Sequence, residues 1–220
     1  MAVPGRSLPW IGPTSQTPLP PATIDGFLFA ASLFPSRPMP SSPRPAKPRP
    51  DLLLTIEGAE VRFEWRGDRW AHAVRFDPAA GGSMVGLWHS IEGPGDTSGD
   101  DRWPASPVLV ELHSHPAGGK VAVMGLGLAG RSHFSASVAP DPRVPGALRF
   151  EIAARINEAP VQLGSTYRSG GPSAAIVRVE PYPLAAAPLP RTVEWSYRIS
   201  PHGIEPLPGA RLASDASASA

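Results

Sequence analysis

The sequence predicts an all-β domain of antiparallel strands, arranged as a two-sheet sandwich or a barrel of about ten strands. Three observations predict it. Thirty prolines and 22 glycines in 220 residues rule out a chain rich in long helices. Hydrophobic residues recur with period two through most of the chain after residue 51. No run of helical period competes with them.

The amino-terminal segment, residues 1–50, holds thirteen prolines. Its last part, PSRPMPSSPRPAKPRP, is charged only by Arg37, Arg44, Lys47 and Arg49, and no acid occurs between Asp25 and Asp51. Such a composition buries too little apolar surface to offset the entropy of ordering. It predicts a disordered, extended, polyproline-like arm, a spacer or a docking peptide for a partner. Residues 27–34 (FLFAASLF) form an apolar run too short to span a bilayer, suited to folding back on the domain as a short helix or an added strand. The small polar residues at the carboxyl end predict a disordered tail over 206–220, which leaves 51–205 as the single β domain.

Within that domain Leu52, Leu54 and Ile56 alternate, followed by Val61, Phe63 and Trp65, then Trp70, His72, Val74 and Phe76, then Val85, Leu87, His89 and Ile91. Tight turns give a register. A turn at Gly58-Ala59 sets Ile56 opposite Val61, and one spanning Arg66-Gly67-Asp68-Arg69 sets Trp65 opposite Trp70 and Phe63 opposite His72. A turn through residues 77–82 sets Val74 opposite Val85 and Trp70 opposite His89. All three keep the apolar positions on one face, as an antiparallel meander requires. Further strands are expected at 108–113, 120–128, 132–138, 148–156, 175–179 and 192–199. The long loops are then residues 92–107 and 158–173, where sites on β scaffolds concentrate.

The register carries the first functional expectation. His72 and His89 fall together on the apolar face beside Trp65 and Trp70, diagonal neighbours roughly 7–8 Å apart, so that these four residues form a candidate ligand pocket.

Composition narrows the chemistry. Without cysteine there is no disulfide, iron–sulfur cluster, thiolate zinc site or cysteine nucleophile. A formal net charge of +1 provides no field for nucleic acid or an acidic membrane. No basic-then-apolar leader opens the chain, so a cytoplasmic protein is expected. The expected partner is a protein or a small molecule, with no cofactor.

Two motifs suggest alternatives. In Glu111-Leu112-His113-Ser114-His115-Pro116 the histidines are two apart on a strand and point to the same side, as two ligands of one metal would. The string HSHP resembles the core of the JAMM (MPN) zinc isopeptidases. That resemblance implies His113 and His115 as zinc ligands in a metal-dependent hydrolase, with Glu111 as base or further ligand. Val123 and Leu126 stand where the family has its serine and its aspartate. The second motif, Gly125-Leu126-Gly127-Leu128-Ala129-Gly130, resembles the dinucleotide-binding fingerprint of Rossmann-type oxidoreductases. It implies a strand-to-helix turn holding a pyrophosphate. The β-prone sequence after it instead predicts a glycine-rich hairpin packed closely against another layer. Glu92, Asp96, Asp100 and Asp101 cluster carboxylates in the first long loop without a calcium-loop spacing. The polar string at residues 163–168 in the second loop is a candidate anion contact.

Overall fold

The structure, a computed structural model, describes residues 49–77, 86–95, 100–170, 174–183 and 187–213. The proline-rich arm up to residue 48, and with it the 27–34 run, lies outside the described residues. So do Asp96 and the last seven residues.

The described residues contain no helix. They form β1 (Leu52–Ile56), β2 (Ala59–Trp65), β3 (Trp70–Phe76), β4 (Leu87–Ser90), β5 (Glu111–Ala117), β6 (Lys120–Ala129), β7 (Ser132–Pro140), β8 (Leu148–Ile156), β9 (Ser165–Ser169), β10 (Ile176–Pro181), β11 (Arg191–Ser200), β12 (Gly203–Pro206) and β13 (Ala210–Leu212). A seven-stranded sheet runs β1-β2-β3-β4-β9-β10-β13, and a six-stranded sheet runs β12-β11-β8-β7-β6-β5. Every ladder is antiparallel. None of these elements is an apolar helix long enough to cross a membrane.

Two strands occupy places where the sequence reads as loop or tail. β9 takes most of the 163–168 string, and its Ser165, Thr166 and Tyr167 are buried rather than offered to an anion. β13 lies beyond residue 205, paired with β10 through Val179 and Leu212.

The register expectations divide by parity. Trp65 faces Trp70 and Phe63 faces His72, as read from the sequence. The β1–β2 turn lies one residue earlier, at Glu57-Gly58, so Leu54 rather than Ile56 faces Val61. That two-residue shift leaves every side chain on its expected face. The β3–β4 pairing is shifted by three. Ala73 faces His89 and Val74 faces Trp88. An odd shift reverses the faces, so Trp88 packs against the core and His89 is exposed on the outer side. The reason is energetic. An indole buries some 150–250 Å² of largely apolar surface, whereas an imidazole must be desolvated.

The inner faces of both sheets supply one core. Its centre is aromatic. The His72 ring from the first sheet stacks on Phe150 of the second at 5.4 Å and 25°. Phe150 stacks on Tyr197 at 5.1 Å and 8°. Polar atoms cross the same layer in pairs: His72 Nε2 lies 2.8 Å from the Tyr167 hydroxyl, which lies 2.6 Å from the Tyr197 hydroxyl. The Trp195 indole donates to Ser165 Oγ at 3.0 Å. The His72, Tyr167, Tyr197, Trp195 and Ser165 atoms that cross this layer are thus paired with one another, as the low-dielectric interior favours.

Candidate functional site

Four edge strands bound the two sheets. β12 runs into β13 through a short connection, which brings those two edges together. On the other side the edge strands among the described residues are β1 and β5, and a groove of about 670 Å³ is lined from both. Leu52, Leu53, Trp70 and Leu112 give it apolar walls, and Glu111 and His113 stand at its β5 side. The strip before β5 is held from both sheets: Trp70 N–H donates to Leu109 O at 2.8 Å, and Val110 N–H donates to Leu126 O at 2.7 Å. The chain enters at the same place. Arg49 Nη1 donates to Val110 O at 2.6 Å, and its guanidinium sits 4.0 Å over the Trp65 ring. Trp65 and Trp70 meet edge to face at 5.4 Å. The indole N–H groups of both are enclosed and have no hydrogen-bond partner.

A second, smaller concavity of about 300 Å³ lies on the outer face of the first sheet. It exists because Ala71 and Ala73 have no side chain beyond Cβ, while their cross-strand partners are long. Glu64 faces Ala71 and His89 faces Ala73. Arg66, Ser90 and Glu92 complete the rim. Arg66 is paired with Glu64 at 2.7 Å. Ser90 Oγ accepts from His72 N–H at 2.9 Å and donates to Glu92 Oε1 at 2.7 Å. The other oxygen, Glu92 Oε2, is shut off from solvent and has no partner. Burial raises the Glu92 pKa to about 7, against the smaller opposing effects of Ser90 and Arg69.

No protein family, no curated protein and no solved structure matches this chain.

The expected ligand pocket of His72, His89, Trp65 and Trp70 does not assemble as a unit. His72 is enclosed between Phe63, Phe150 and Tyr167. Burial lowers its pKa to about 4 and keeps the imidazole neutral. His89 is on the opposite face because of the odd β3–β4 shift. Trp65 and Trp70 remain together, and Trp70 lines the groove beside Glu111 and His113.

Glu111, His113 and His115 do share a side of β5, opposite Leu126, Met124 and Ala122. All three are exposed. Among the described residues no three His, Asp or Glu side chains gather closely enough to hold a metal ion. His133 faces Leu128, four residues along β7 from Ser137, which lies in line with His113 through Met124. That separation is about 13 Å along the strand. The same outward face carries Met124, Leu126 and Leu128, each about half exposed.

The Gly125–Gly130 string ends β6 and turns directly into β7, so the helix that would receive a pyrophosphate is replaced by a strand. Its glycines serve close packing: a Cβ on Gly127 would stand 1.8 Å from Val108 O. Among the loop carboxylates, Asp100 binds Arg102 at 2.6 Å and Asp101 lies 3.8 Å from Arg69. The Arg66-Gly67-Asp68 sequence is a hairpin turn in which Gly67 takes φ 101°.

Glu92 is the residue that sequence reasoning placed wrongly, as one of several solvated loop acids. Its position two residues after Ser90 was the available signal, but the parity of that strand is decided only by burial of Trp88.

His72 and Glu92 pull stability in opposite directions with pH. The folded pKa of His72 is depressed, so its contribution is lost as pH falls from about 6.5 towards 4, by up to about 3 kcal/mol. The folded pKa of Glu92 is raised, so its contribution is complete below about 4.5 and is lost as pH rises through 7. Glu92→Gln is therefore expected to be more stable than the parent at pH 8, by up to about 3 kcal/mol, with the gap closing towards pH 4.5. Urea denaturation of both proteins across that range reads the difference directly. A gap that does not change with pH would show that the Glu92 carboxyl titrates normally.

Proposed function

We propose that this chain is a non-catalytic β-rich interaction module that takes an extended segment of a protein partner into the groove between β1 and β5. The observation that carries this reading is the pair of sheet edges, unpaired among the described residues, that flank a groove lined by Leu52, Leu53, Trp70 and Leu112 and rimmed by Arg49, Asp51, Glu111 and His113. Edge strands present unpaired backbone donors and acceptors, and an incoming strand satisfies them while alternate side chains fill adjacent pockets. β1 carries no charge and no proline to discourage such pairing, and Leu53 is half exposed. A strand of five or six residues, about 17–20 Å long, matches the length of β1. Pairing with both edges would carry the two sheets from a sandwich towards a closed barrel. The exposed Met124, Leu126 and Leu128 beside β5 extend the apolar surface a partner could cover.

The test is selection of peptides from a displayed library against the full chain, followed by calorimetric titration of a selected peptide. Leu53→Asp and Leu112→Asp are expected to weaken it at least about tenfold, the loss of a buried apolar contact. Val161→Asp, at an exposed position away from the groove, is expected to leave it unchanged. Binding should also slow amide exchange along β1. Peptides that bind all three variants like the parent, or a library that yields no binder, would overturn the reading.

A further inference from the structure

We propose that the recess on the outer face of β2, β3 and β4 binds a primary ammonium group, with Glu92 as its acceptor. This site is separate from the groove between the sheet edges and does not depend on it.

The argument starts from charge pairing around the recess. Arg66 has Glu64 at 2.7 Å, and Arg69 has Asp68 at 2.7 Å. Each guanidinium here thus has a carboxylate within ion-pair distance, although Arg69 Nη1 is enclosed without a partner and both arginines act on Glu92 only at longer range. Among the described residues Glu92 is the acid of the group without an ion pair, and its one hydrogen bond is that donated by Ser90 to Oε1. Glu92 lines the recess, and its Oε2 is enclosed and unpartnered. A buried acceptor left in that condition costs free energy that a donor from a ligand would recover. A cation with N–H groups supplies both the donor and the missing charge, and charge-assisted bonds of this kind are the stronger ones.

The shape selects further. The Ala71 and Ala73 floor leaves about 300 Å³, room for a compact group. Among the described residues no Trp, Tyr or Phe lines the recess, so these residues form no aromatic cage of the kind that holds a quaternary ammonium without hydrogen bonds. The charges that face Glu92 come from β2 (Glu64, Arg66), from the β2–β3 turn (Asp68, Arg69) and from β4 (His89 beside it). A bound ammonium favours the Glu92 carboxylate. Since the free carboxyl titrates near 7, binding takes up no free energy for deprotonation above that pH and weakens below it.

A free small amine and a lysine side chain present the same group. The test therefore uses two probes, ethylammonium chloride and Nα-acetyl-lysine amide, with tetramethylammonium chloride as an equal-charge control lacking N–H donors. Each is titrated into the full chain while the backbone amide resonances of Ala71, Ala73 and His89 are followed. Saturable shifts are expected with one or both N–H probes and not with the control, and the affinity should fall about tenfold or more between pH 7 and pH 5. Response to ethylammonium alone assigns a free amine; response to the lysine amide assigns a side chain. Glu92→Gln is expected to abolish the shifts. Ala73→Leu, which fills the recess and leaves Glu92 in place, is expected to do the same. Absence of saturation, an equal response to tetramethylammonium, or binding retained in Glu92→Gln would overturn the proposal.

Discussion

Gly127→Ala is expected to destabilise the protein by about 3–4 kcal/mol, the most damaging single methyl group that can be added to its sheets. The new Cβ would stand 1.8 Å from the Val108 carbonyl oxygen, 2.6 Å from its carbon and 2.9 Å from Leu109 Cα. These are backbone atoms, and they cannot rotate aside. The strip that holds them is fixed by Trp70 N–H to Leu109 O and by Val110 N–H to Leu126 O. Relieving the clash means breaking one or both bonds and moving the entry to β5. Gly125, two residues earlier, is the control. A Cβ there meets Leu112 Cδ2 at 2.9 Å and Leu109 Cδ1 at 3.0 Å, the ends of flexible side chains. Gly125→Ala should cost about 1 kcal/mol. Urea midpoints of the two variants test the contrast, and equal midpoints would mean that the strip is not pinned. Because the same strip leads into the groove wall, Gly127→Ala should also lose peptide binding while any folded protein remains.

Phe150→Ala is expected to cost about 4 kcal/mol. The ring is 1% exposed and lies between His72 of one sheet and Tyr197 of the other. Truncation removes two stacked contacts and an edge contact with Tyr167 at 6.3 Å. It also opens a cavity where the two sheets depend on aromatic filling. The neighbouring hydrogen-bonded chain of His72, Tyr167 and Tyr197 cannot collapse into that space without breaking a buried polar contact. Thermal denaturation with Phe150→Leu for comparison measures the effect. Leucine restores part of the volume, so its loss should be clearly smaller. Equal losses would place the stabilisation in the ring geometry rather than in the filled space.

Much of the fold can be read from period-two alternation, because a half-buried strand leaves that pattern directly in the chain. Where a tight turn defines the pairing, as at Arg66-Gly67-Asp68-Arg69, the partner of each residue could be read too. β9 was missed because its buried residues are Ser165, Thr166 and Tyr167, polar side chains whose partners in the folded protein are Trp195, Ala105 O and Tyr197, while Ser106 Oγ accepts from the Thr166 backbone N–H. Their partners come from distant parts of the chain, so nothing local marks the segment as core.

The candidate sites were legible only in pieces. Trp70, Glu111 and His113 were each visible as chemistry-bearing residues, and their meeting around one groove was not. The sequence by itself determined the strand-forming segments, the absence of cysteine chemistry and the close-packing role of the glycines in β6. Tertiary structure decided which face His89 occupies, because a three-residue slip in β3–β4 pairing depends on whether Trp88 or His89 is buried. It also decided that Glu92, unpaired among the described residues, lines a recess, and that the edge strands β1 and β5 line one groove. Both depend on how two sheets close around a common core, a long-range choice that local alternation does not encode.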